Sequence, residues 1–350
     1  MKKKHSNLLF FGFESLCKVG IDSYLIFQGK GAFRLLGIFG ISGLSFLLVA
    51  LFTPLLIWGL RTLKLTQPIR SQLPPDHQAK QGTPLMAGLI LLIGVATSLQ
   101  FHPAPLMLFL SVTFLLFSSV GFMDDFKKAA KQDPSGISGR TKLVFQFAFT
   151  GILLVTLFSS FNLTSEISLF SGYQLHLPVY AYIIIMSFFV VGSANAINFT
   201  DGLDGLLINV AIPTYFFFFL ISNKQEVQIF SLVMISCLLG LFFYNIYPAK
   251  AFMGDTGSLA IGGSLSFLAI IEKVELLIPI LFSVYLAEQF SVILQVWYYK
   301  RTKLRLFKMA PIHYHFSLKY GWSENKIVMI FGFISWMSAL ICWFIWKYAL

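Results

Sequence analysis

The chain has 350 residues, 57% of them hydrophobic and only 12% charged, with a mean hydropathy of +0.77. A soluble domain carries about a quarter charged residues, so this composition excludes a soluble globular protein and describes an integral membrane protein. With so few polar residues, the net charge of +11 reads as cationic loops against an anionic leaflet, and no nucleic-acid partner is expected. Cys17, Cys237 and Cys342 are scattered, with neither metal-ligand spacing nor a disulfide framework.

In chain order, residues 1–34 open with a basic run, but no small-residue cleavage site follows, so a cleaved signal peptide is not expected. Glu14, Lys18 and Asp22 fall on one helical face, opposite Leu9, Phe10, Phe13, Leu16 and Val19. That pattern predicts an N-terminal interfacial helix, with an atypical first span as the alternative. Residues 35–350 read as one all-α polytopic domain with about ten transmembrane helices. Hydropathy places them near 36–60, 84–101, 104–122, 143–161, 179–198, 206–221, 228–246, 257–271, 275–297 and 327–346. The span 257–271 is short and rich in glycine (Gly257, Gly262, Gly263), which suits close helix packing. Loops after odd-numbered spans carry most of the 26 Lys and Arg residues, whereas loops after even ones hold only Lys224 and Lys273. The positive-inside rule then makes the odd loops cytoplasmic. Lys2, Lys3, Lys4, Lys18, Lys30 and Arg34 on the opposite side run against that orientation.

Every unusual polar cluster lies on an odd loop or its rim, and so on one side of the membrane. Asp124 and Asp125 end the third span. Adjacent carboxylates repel, which suits a Mg²⁺ ligand or a general base, or a plain helix end balanced by Lys127, Lys128 and Lys131. Asn195, Asn198, Asp201 and Asp204 are spaced by threes between two apolar runs. On a straight helix they would drift around the axis, so their convergence demands a break near Gly202. Gly254-Asp255-Thr256-Gly257-Ser258 puts a carboxylate at a helix start, as a metal and phosphate site or as an N-cap. His313 and His315, in a basic loop, would point the same way if extended. With no cysteine or third histidine near them, diphosphate or carboxylate contact is favoured over zinc. Carboxylates for Mg²⁺, cations for phosphates and a membrane setting describe phosphoryl transfer from a soluble diphosphate donor to a lipid. No Walker-type loop occurs. A transporter is the competing class, but it would set its acids near the bilayer midplane and show internal repeats.

The ordered motifs D-D-x-x-K, N-x-x-N-x-x-D-G-x-D-G-L, N-x-Y-P-A-x-x-F-M-G-D-x-G-S-L-A and M-A-P-I-H-x-H-F resemble the polyprenyl-phosphate N-acetylhexosamine-1-phosphate transferase superfamily. Arg70–Pro84 and Ser291–Val296 resemble its branch that makes the first lipid intermediate of peptidoglycan. The resemblance implies a Mg²⁺-dependent enzyme of the bacterial cytoplasmic (inner) membrane, commonly a homodimer, with its active site facing the cytoplasm. Its substrates would be undecaprenyl phosphate and UDP-MurNAc-pentapeptide, with release of UMP, or UDP-GlcNAc in a sister enzyme. Matched by motif, Asp124 and Asp125 are the paired acids at the reaction centre and Asp255 the principal Mg²⁺ ligand. Asn195, Asn198, Asp201 and Asp204 fall in the donor pocket, Phe252 stacks on uracil, and Lys80, Thr83, Lys142, Asn245 and Gln295 are further polar positions. The chain departs from the family pattern at Leu73, Leu85, Ala87, Ser317 and Tyr314, the last replacing the middle of three histidines. The departures around His313 and His315 fall where donor selectivity would be set.

Overall fold

The computed structural model describes residues 32–67, 82–169 and 173–349. The expected interfacial helix, and Lys80 with the basic stretch around it, lie outside the described residues. The chain is a helical bundle: α1 (Ala32–Thr62), a 3₁₀ turn (Ala87–Leu91) running into α2 (Leu92–Phe101), α3 (Pro105–Lys131), α4 (Gly139–Ser160), α5 (Val179–Thr200), α6 (Leu206–Ile221), α7 (Gln225–Asn245), α8 (Gly254–Ile271), α9 (Ile278–Leu281), α10 (Ser283–Thr302), α11 (Ile312–Tyr320) and α12 (Glu324–Ala349). An antiparallel hairpin, β1 (Glu166–Ser168) with β2 (Gln174–His176), joins α4 to α5. Among the described residues, seven helices are long and apolar enough to cross a membrane, the bent pair Glu275–Leu281 and Ser283–Thr302 makes an eighth, and Ala87–Phe101 and Leu206–Ile221 are shorter apolar helices. Together they account for the ten expected segments.

In lipid every backbone polar group must be met inside the chain, which leaves helices as the spanning form here. Hydroxyls within them follow the same logic. Ser42, Ser45, Thr53, Ser111 and Thr113 each donate to the carbonyl one turn back.

Helix α8 is the axis of the bundle, with 94% of its apolar window buried. Water supplies no drive between helices in a bilayer, so close packing must, and small residues permit it. A Cβ on Gly263 would meet the Phe117 ring of α3 at 2.4 Å, and one on Gly262 would meet the Ala194 backbone of α5 at 2.6 Å. These glycines draw α3 and α5 against α8 and bring Asp124, Asn198 and Asp255 to one end of the bundle. The hairpin and the pairs Lys224–Glu272 and Lys273–Glu275 sit away from that cluster, on the loops expected to face the other side.

Two elements differ from expectation. The ninth segment is not one straight span: it bends by 75° at Phe282. Apolar residues run through both halves, so hydropathy carries no mark of the bend. The stretch with His313 and His315 is not extended but forms α11, entered after Pro311 and ended by Gly321 at φ 64°. At about 100° per residue, side chains two apart leave nearly opposite faces.

Candidate active site

Helix α3 continues nine residues past the apolar run, to Lys131, carrying Asp124, Asp125 and Lys128 on one buried face. Asp124 and Asp125 are 2% and 1% exposed. Carboxylate oxygens of Asp124, Asp125 and Asp255 lie within 4.8 Å of one another. Charges so placed persist only when paired. Lys128 contacts Asp124 directly and stands 3.3 Å from Asp255; Lys142, from α4, contacts Asp255 and stands 3.5 Å from Asp124.

The adjacent acids do different work. Asp125 accepts from the backbone N–H groups of Asp255 (3.1 Å) and Thr256 (2.8 Å) and from the Thr256 hydroxyl (2.7 Å). It therefore caps the N-terminus of α8 from another helix, satisfying donors that no residue of α8 can reach. Gly254, at φ 75°, has no room for a Cβ, which would lie 2.5 Å from Asp125 Oδ2. Asp124 accepts at Oδ1 from the Ile137 N–H (2.8 Å), while its buried Oδ2 meets only the ammonium groups of Lys128 and Lys142. An anionic oxygen held only by mobile lysine side chains, beside the partly exposed Asp255 carboxylate, is a donor set suited to a hard divalent cation.

Helix α5 ends at Thr200, and the chain turns through Asp201–Gly205 before α6 begins at Leu206, with Gly205 at φ 77°. The break demanded by the threefold spacing is present. It is stapled from several sides. Asn245 Oδ1 accepts the Gly205 N–H and Asn245 Nδ2 donates to the Ala251 carbonyl. Asp204 accepts the Ala249 N–H. The Tyr314 hydroxyl donates to the Gly202 carbonyl (3.3 Å), and the His313 ring packs so closely that a Cβ on Gly202 would lie 2.4 Å from it. His313 is in turn 3.1 Å from Glu288 of α10, and both side chains are fully buried. Burial, reinforced by the Asp255 and Asp125 carboxylates, pushes the Asp201 carboxyl well above its ordinary range.

A cavity of about 180 Å³ opens between the break and the acids, lined by Asn198, Asp201, Asp204, Asn245, Phe252 and Asp255, with Asp125, Lys128, Gln67 and Tyr314 also on its wall. Phe252 is held there by backbone bonds to Pro84 and Ala87. Asn198 donates to Asp255 (2.8 Å) and to Ser258 (2.7 Å). The remaining candidates sit elsewhere. Asn195 is turned away, toward Gln146 and the Val191 carbonyl. Thr83 joins the cavity's neighbourhood only through its carbonyl, which accepts from Gln67. Gln295 clamps the Phe307 backbone with both ends of its amide. His313 lies beneath the break, and His315 accepts the Lys308 N–H, with burial and then Lys319 and Lys308 lowering its affinity for a proton. Of α11 it is Tyr314 that reaches the cavity. Sequence reasoning missed Glu288 and Gln146, which sit inside segments whose mean hydropathy stays apolar. Lys128 was legible as the i+4 partner of Asp124.

The family model described as Glycosyl transferase family 4 matches residues 107–273. A phospho-N-acetylmuramoyl-pentapeptide-transferase of Bacillus subtilis is 37% identical over 308 residues, covering 85% of this chain and 93% of that protein. Proteins of the same name from Syntrophus aciditrophicus (37% identical, covering 83% of this chain and 87% of that protein) and Bacillus cytotoxicus (36%, covering 87% and 96%) are similarly related. With that likeness over nearly the full length of both chains, and with acids, lysines and a broken helix gathered around one cavity, the chain belongs to the phospho-N-acetylmuramoyl-pentapeptide-transferase family of membrane phosphotransferases.

Proposed function

We propose that the protein transfers phospho-MurNAc-pentapeptide from its UDP-linked donor to undecaprenyl phosphate, releasing UMP, at the cytoplasmic face of a bacterial inner membrane and with Mg²⁺ bound. Support comes above all from Asp255 on the wall of a polar cavity, with Lys128 and Lys142 bridging it to the Asp124 carboxylate behind. Asp255 and Asp124 would hold the ion, which when bound neutralises diphosphate charge. A phosphate oxygen of the lipid attacks the donor's β-phosphorus, the bond from that phosphorus to the bridging oxygen breaks, and UMP leaves with the bridging oxygen and the electron pair. Lys128 and Lys142 offset the anionic charge brought together there. Asp124, whose Oδ2 meets only the Lys128 and Lys142 side chains, is freer than Asp125, which is fixed by three donors of α8, to take a proton from the attacking phosphate. Phe252 offers the flat face that a uracil requires, and Asn198, Asp201 and Asp204 offer polar contacts to the rest of the donor.

The test supplies purified protein with Mg²⁺, undecaprenyl phosphate and either UDP-MurNAc-pentapeptide or UDP-GlcNAc, and measures UMP. Release with the first donor is expected. Release with the second alone would overturn the donor assignment, and release with neither would overturn the reaction.

A further inference from the structure

Helix α4 is a thinly embedded wall of the site, with 28% of its apolar stretch buried. Between Gly139 and Phe149 its only buried residue is Gln146, while Leu143, Val144 and their neighbours face outward. Yet this turn of helix carries Lys142, whose ammonium must lie between Asp255 and Asp124. The partly buried rings of Phe145 and Phe149 pack against the core and Phe147 meets Phe188 of α5, but Gln146 is the one fully buried contact that fixes the rotation of α4 at this end. Lys142 and Gln146 are one turn apart and share a face. Gln146 Oε1 accepts from Asn195 Nδ2 at 2.7 Å, and the second proton of that same Asn195 amide is held by the Val191 carbonyl at 2.7 Å. Asn195 is thereby fixed to its own helix, and it fixes Gln146 in turn.

The bond is not there for stability. Gln146 is fully buried and its Nε2 has no partner among the described residues. A half-satisfied amide inside a bundle is worse than a leucine of similar size. Polar groups kept at such a cost are expected where geometry matters more than stability. The leverage is large: rotating α4 by about 20° moves a group about 6 Å from its axis by about 2 Å. That is enough to separate an ammonium from its carboxylate.

We propose that Gln146 and Asn195 are positioning residues, whose amide bond sets the rotation of α4 and so holds the Lys142 ammonium between Asp124 and Asp255. This deepens the transferase assignment by giving Asn195 a role outside the donor pocket. The experiment measures lysine acetylation in purified protein with an amine-reactive acetyl ester, read residue by residue by mass spectrometry, for wild type, Gln146→Leu and Asn195→Ala. Lys128 and Lys142 are similarly shielded in the wild type, at 19% and 16% side-chain exposure, so Lys128 on α3 is the internal control. Both variants are expected to label Lys142 about tenfold faster with Lys128 unchanged, and to lower kcat for UMP release about tenfold with little change in KM. Unchanged Lys142 labelling, or Lys128 rising together with Lys142, would overturn the proposal. Labelling needs no substrate, so a protein that labels as expected but releases no UMP would sink the transferase assignment and leave the positioning role standing.

Discussion

Replacing Gly202 by alanine places a methyl group 2.4 Å from Cε1 and Nε2 of His313, about 1 Å inside an ordinary contact of 3.4 Å. The ring cannot swing aside, because it is fully buried, meets Glu288 at 3.1 Å on one edge and lies 4.1 Å from the Tyr314 ring. The backbone of the break must move instead. Overpacking of this kind costs about 1–3 kcal/mol. The same displacement shifts Asp201 and Asp204 within the cavity, and a misplacement of about 1 Å can lower a rate about a hundredfold. Thermal unfolding in detergent and steady-state UMP release check the two effects separately. The expected result is a modest fall in Tm with a much larger fall in kcat/KM. Gly202→Ala/His313→Ala should recover Tm relative to His313→Ala alone, since the added methyl then fills space. A Gly202→Ala protein with wild-type Tm and turnover would falsify the view that α11 pins the break.

Asp255→Asn should abolish UMP release with little change in Tm. Three carboxylates face two ammoniums, so losing one charge leaves the cluster balanced; turnover near wild type would defeat the metal assignment. Asp125→Ala should lower Tm more than Asp124→Ala, because it strips three donors at the N-terminus of α8, at about 1–3 kcal/mol for buried groups left unpaired. Equal losses would refute the capping role. Asp201→Asn should raise Tm at neutral pH while impairing turnover. The folded-state pKa of Asp201 lies well above 3.8, so ionising it costs the fold stability above that pH. The gain should shrink toward pH 4 and below, where Asp201 is protonated folded and unfolded alike. A Tm difference that does not vary with pH would contradict the burial argument.

The membrane class, the ten apolar segments and the gathering of acids at one end were all legible in the chain. Each follows from local composition: apolar runs long enough for a bilayer, basic residues on alternate loops, and paired Asp-Gly steps where a helix breaks most easily. A break near Gly202 was expected so that four polar residues could converge, and it is present, although Asn195 does not join the other three. The division of labour within the site was not. Asp124 and Asp125 are neighbours of the same chemistry, and Asp125 became a helix cap only because α8, 130 residues on, starts beneath it. His313, Tyr314 and His315 take separate roles because α11 is a helix, with one face on the break and another on the loop. Asn195 carries the same motif chemistry as Asn198, yet one helical turn sends it to Gln146 rather than to Asp255. The 75° bend at Phe282 left no mark in hydropathy. Residue type and spacing decide what a segment can offer over a turn or two of helix, whereas the partner each group meets depends on which helices the small residues of α8 allow to approach.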